Sequence, residues 1–99
     1  VFVVVAKICA KAGQGDDLAG RFSGMVEWVT ENEADTLTYI CNRSTERPDE
    51  FVFFERYTNE KAFEAHTSSQ RFQDLARELR GLLDGPISMD TYCEVAGKL

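Results

Sequence analysis

The sequence has one histidine, one tryptophan, two prolines and three cysteines, and its 11 Lys+Arg are outnumbered by 17 Asp+Glu. Each shortage closes off a class of function. One imidazole excludes the metal centres built from several histidines. Cys9, Cys41 and Cys93 show no CxxC spacing, and each sits alone in an apolar run. They read as buried reduced thiols in a reducing, cytoplasmic setting. A net charge of −6 leaves no basic surface for nucleic acid or for an anionic membrane. No run approaches the roughly 18 apolar residues of a membrane span, and the apolar opening Val1–Ala6 is too short for a signal segment and has no basic residues before it. Walker, dinucleotide-binding, nucleophile-elbow and zincin motifs are all missing. Gly13-Gln14-Gly15 is a lone GxG and reads as a loop.

What is present is one ordinary globular composition, 43% hydrophobic and 28% charged over 99 residues, which predicts a single domain over 1–99. Val1–Ala10 is almost continuously apolar and β-branched, a strand buried on both faces. Asp16 and Asp17 place negative charge at a helix start, and Leu18, Phe22, Met25, Val26 and Val29 form the stripe of a helix running to about Asn32. Thr36–Arg43 alternates as a strand, with Leu37, Tyr39 and Cys41 on one face. Beyond a loop containing Pro48 and Asp49, Phe51–Tyr57 is strand-like again. Thr58 or Asn59 caps a short helix, Ser68 or Ser69 caps a second with the stripe Phe72, Leu75, Ala76, Leu79 and Leu83, and Ile87–Val95 alternates as the last strand.

Strand, helix, strand, strand, helix pair, strand is the order of an α+β, ferredoxin-like split βαβ subunit: an antiparallel sheet with helices on one face. The most apolar strands, the first and third, belong in its centre. Both are apolar on both faces, so the uncovered face predicts a homodimer packed sheet to sheet.

Two side chains invite a chemical reading. His66 lies on the inward side of its short helix, where it is either a satisfied core imidazole or a base at a pocket edge. Glu55 shares strand parity with Phe51, Phe53 and Tyr57, so either it or Arg56 points inward, and His66 is its natural partner. A structural Glu–His bond and a catalytic dyad look alike at this level. His66 with Glu64 or Glu55 shows no recognisable metal-ligand spacing. Trp28, on the flank of the first helix stripe, together with Tyr39 and Tyr57 can line an apolar pocket with polar tips. Tyr92 suits a strand surface or a dimer interface.

The segment FVFFERYTNEKAFEAHTSSQRF, residues 51–72, resembles the antibiotic biosynthesis monooxygenase family of dimeric α/β-barrel proteins. The shared pattern is an apolar strand ending in Glu55 with an aromatic two residues on (Tyr57), a short helix ending in His66, and a serine-capped helix with an early Phe72. TLTYICNRSTERPDEF looks like the family's second strand and hairpin. The resemblance implies a homodimeric barrel with a pocket between helices and sheet in each subunit. It also implies oxidation of an aromatic quinol- or anthrone-like substrate by O2, with neither flavin nor metal. His66, poised by Glu55, takes the catalytic role, and Trp28, Tyr39, Phe53, Tyr57, Phe63 and Phe72 hold the substrate. Haem-degrading relatives carry an axial histidine where this chain has Leu75, Ala76 and Arg77, and a first-strand asparagine missing from Val1–Ala10, so haem chemistry is disfavoured. The alternative is a non-catalytic member of the same fold, a small-ligand-binding or stress-response dimer.

Overall fold

The computed structural model describes residues 1–99. Its elements follow the expected order: β1 (Phe2–Cys9), α1 (Gly15–Asn32), β2 (Thr36–Arg43), β3 (Glu50–Tyr57), α2 (Glu60–Ser68), α3 (Gln70–Glu78) and β4 (Ser88–Cys93). The four strands form one antiparallel sheet in the order β2-β3-β1-β4, with the two most apolar strands at its centre. Val4, Ala6 and Ile8 of β1, with Ala10 just beyond it, are buried beneath the helices with Phe51 and Phe53 of β3. Phe22 of α1 meets both rings edge-on, at 5.3 Å from Phe51 and 4.9 Å from Phe53, the geometry favoured by aromatic quadrupoles.

Local chemistry sets the element ends. Asn59 accepts a hydrogen bond from the Ala62 amide and Ser69 from the Phe72 amide, capping α2 and α3. The start of α1 is capped from afar: the Asp49 carboxylate accepts from the amides of Gly13 and Gly15 at 3.2 and 2.8 Å. Both glycines are required there. Gly13 has φ +82°, and a Cβ on Gly15 would lie 2.5 Å from the Pro48 carbonyl oxygen.

Three expectations need correcting. Leu37 does not share a face with Tyr39, because a bulge between Thr36 and Thr38 turns it outward, where it is 47% exposed. The last helix stops at Glu78; Leu79 is its cap, and Gly81 at φ +83° turns the chain. Leu83 still packs on the core because it bridges Ala10 as an isolated β pair, which a helical stripe cannot anticipate. The last strand covers only Ser88–Cys93, all exposed, as befits a sheet edge.

The face away from the helices is left bare. Val5, Phe54 and Ile40 are direct neighbours across three strands, with Phe54 40% and Ile40 51% exposed. No helix is long and apolar enough to cross a membrane.

Candidate functional site

Two concavities flank a cluster of aromatic and ionisable side chains. The first is an apolar cleft of about 60 Å³ between sheet, α1 and α3. Eleven of its twelve lining residues are hydrophobic, among them Tyr39, Phe53 and Phe72, and the twelfth is Glu55. Ile87 and Met89 form a half-exposed rim from the β4 side. The second is a polar groove of about 300 Å³ between the end of α1 and the length of α2, lined by Trp28, Glu33, Asp35, Ala62, His66 and Ser69 among others. Tyr57 and Phe63 line neither cavity: Phe63 lies 5.3 Å from Tyr57 and 5.6 Å from Phe2.

Strand parity carries Glu55 inward with Phe53 and Tyr57, and it is only 5% exposed. Arg56 turns to the other face, where it pairs with Glu94. The expected Glu55–His66 bond does not form. The Tyr57 hydroxyl donates to Glu55 Oε1 at 2.6 Å, two residues along the same strand face. His66 pairs instead with Glu33, its Nδ1 lying 2.8 and 3.1 Å from the two carboxylate oxygens. Glu33 sits just past the end of α1, in a segment without periodicity. Nothing in its spacing marked it, and only the return of β2 beneath α2 brings it to His66.

Burial pushes the Glu55 carboxyl up to about 7, against the pull of the Tyr57 hydrogen bond and with a further push from the Glu33 charge. His66, 2% exposed, is held below the ordinary imidazole range by burial, although Glu33 draws it upward. The phenols of Tyr39 and Tyr57 are raised, first by burial and then by the Glu55 charge, so both remain O–H donors. The His66 ring lies 5.0 Å from Tyr39, 5.1 Å from Phe72 and 5.7 Å from Tyr57. His66 therefore buttresses two walls of the cleft without lining it. Tyr57→Phe should raise the Glu55 pKa further, since it removes the hydrogen bond that holds it down; a carboxyl titration by NMR showing no upward move would contradict this coupling.

Other parts of the lining escaped sequence reasoning. Ile87 and Met89 carried only strand alternation, and Leu75, Ala76 and Leu79 were read as helix stripe. No three His, Cys, Asp or Glu side chains converge as a metal-holding group.

Comparison with known proteins agrees with this architecture. The family model for antibiotic biosynthesis monooxygenase matches residues 1–78. Among solved structures, an antibiotic biosynthesis monooxygenase superposes with a TM-score of 0.88 at 21% identity, covering 97% of this chain and 100% of that one. PA3566 from Pseudomonas aeruginosa gives 0.86 at 22% identity over 96% and 94% of the two chains. Rv0793 from Mycobacterium tuberculosis gives 0.86 at 21% over 97% and 96%. At such identities the likeness is one of fold. No curated protein sequence matches the chain.

Proposed function

Since the chain belongs to the antibiotic biosynthesis monooxygenase family, we propose that it is a cofactor-independent monooxygenase that oxidises an aromatic quinol- or anthrone-like small molecule with O2. The observation that supports this most is one carboxyl group, Glu55, lining an otherwise hydrophobic cleft, its pKa pushed up to about 7 by burial. A base poised near neutrality serves proton abstraction best.

In this reading Glu55 takes a proton from the acidic C–H of a bound anthrone or the O–H of a quinol. Tyr39, whose hydroxyl makes no hydrogen bond within the chain, donates to the substrate oxygen on which the negative charge develops. The anion gives one electron to O2, and the radical pair combines to form a C–O bond. For an anthrone CH2 the peroxide anion takes back the Glu55 proton; Glu55 then removes the remaining C–H proton as the O–O bond breaks to leave C=O, and passes it to the departing hydroxide as water. One oxygen atom stays in the product and the other leaves as water, so no outside reductant is needed. Phe53 and Phe72 hold the ring system, whereas Trp28, Tyr57 and Phe63 act from behind the cleft wall. A benzene-sized ligand occupies a cavity of about 150 Å³, more than the cleft offers, so entry involves outward movement of Ile87 and Met89.

The same reading takes residues 1–99 as one domain in a cytoplasmic homodimer, the bare apolar face of the sheet packing on its copy. The three thiols are free but not buried as expected: Cys9 and Cys41 are half-buried and Cys93, on the edge strand, is exposed.

The test is oxygen uptake against a panel of reduced quinols and anthrones, corrected for autoxidation. Uptake that saturates with substrate and scales with protein supports the oxygenase. None across a broad panel leaves the small-ligand-binding reading. His66→Ala is expected to lose most turnover while remaining folded and dimeric, because Tyr39 and Phe72 lose their common support; wild-type turnover in that variant would place His66 outside the reaction.

A further inference from the structure

We propose that Glu33 is a positioning residue of this site, holding His66 as the neutral tautomer with its hydrogen on Nδ1 and fixing the ring against Tyr39 and Phe72. An ionised carboxylate only accepts hydrogen bonds. With both Glu33 oxygens within 3.1 Å of Nδ1, that nitrogen must carry the hydrogen. Burial of the ring disfavours a second proton, so Nε2 keeps its lone pair, and it has no hydrogen-bond partner in the chain.

Glu33 is itself immobilised on two sides. Its amide donates to the Val29 carbonyl at the end of α1, 2.9 Å away, and the Thr36 hydroxyl donates to its Oε1 at 2.7 Å. The carboxylate is thus a fixed stop against which the imidazole is set. Because that ring abuts Tyr39 and Phe72, its orientation is passed to two walls of the cleft. The logic is that of a base oriented by a neighbouring carboxylate.

The catalytic part of this inference rests on the oxygenase reading, but the tautomer does not. The chain has one histidine, so the imidazole nitrogen signals in a 15N NMR spectrum belong to His66 alone. At pH 7.5 the wild type should show a protonated Nδ1 and a bare Nε2. Glu33→Leu should shift this toward the mixed tautomers of a free imidazole, and Glu33→Gln, whose amide oxygen still accepts, should restore Nδ1–H. A wild-type spectrum with hydrogen on Nε2, or on both nitrogens, overturns the proposal even if Glu33→Leu does not fold. An unchanged tautomer in a folded Glu33→Leu does the same. With an active substrate in hand, Glu33→Leu should lower kcat by roughly tenfold or more with KM little changed, and Glu33→Gln should recover most of it. An unaltered kcat removes the positioning role. Failure to find any substrate refutes the oxygenase reading and leaves the spectrum to decide the tautomer.

Discussion

Glu55→Gln should abolish most turnover and at the same time yield a more stable protein at alkaline pH. The loss of a positioned general base costs roughly 100- to 10,000-fold in rate, and glutamine keeps the shape and still accepts from Tyr57. The stability gain follows from linkage. Glu55 is raised in the folded state from an ordinary 4.5 to about 7, so folding favours its protonated form. Its contribution is fully present below about pH 4.5 and is lost as pH rises through 7. At about 1.4 kcal/mol per pH unit, the wild type should lose roughly 3 kcal/mol across that interval relative to a variant that cannot ionise. His66 acts with the opposite sign: its lowered pKa gives stability that is present above about 6.5 and lost as pH falls. It is common to both proteins and cancels in the difference. Urea unfolding of the pair at pH 5 and pH 8 measures this directly. A difference that does not change with pH would show that Glu55 does not titrate in that window. A variant of undiminished turnover would remove it as the base.

The second large effect is expected on the bare face of the sheet. Val5, Phe54 and Ile40 form one apolar row across three strands, and in a sheet-to-sheet dimer that row is the centre of the contact. Val5→Glu places a second carboxylate beside Asp90, its neighbour on β4, in a contact that must exclude water, a burial that costs several kcal/mol. We expect a monomer by light scattering at micromolar concentration. Ile40→Glu is the companion variant, because a side chain already 51% exposed in the subunit should accept a charge without unfolding it. If both variants retain a dimer mass, the subunits do not associate through this face.

Much of the architecture was legible because the periodicities were clean. The apolar first and third strands declared themselves central, and the α1 stripe named Leu18, Phe22, Met25 and Val29, all buried. The caps were legible to within one residue, Thr58 or Asn59 and Ser68 or Ser69, because the cap bond is local; the structure selects Asn59 and Ser69. What failed was either a change of period or a contact between distant segments. A single inserted residue at Leu37 reversed its face, and Leu83 continued a helical count although it lies in a β bridge. At the site, Glu55 was found by strand parity, but its partner was assigned by chemistry alone. Carboxylates compete for one imidazole, and only the fold decides between them. Glu33 won because the chain leaving α1 passes beneath α2, while Glu55 already faced Tyr57 on its own strand.

The Asp49 cap on α1 bears on how the chain assembles. Most helix N-caps are supplied by the residue next door, so the helix can begin wherever its own sequence permits. Here the acceptor arrives from 34 to 36 residues further along, and the Gly13 and Gly15 amides have only water as a partner until the β2–β3 connection has docked. Nucleation of α1 at its first turn is thereby tied to a long-range closure. Hydrogen exchange at those two amides should report the arrival of that connection, with Asp49→Ala accelerating exchange there ahead of the middle of the helix.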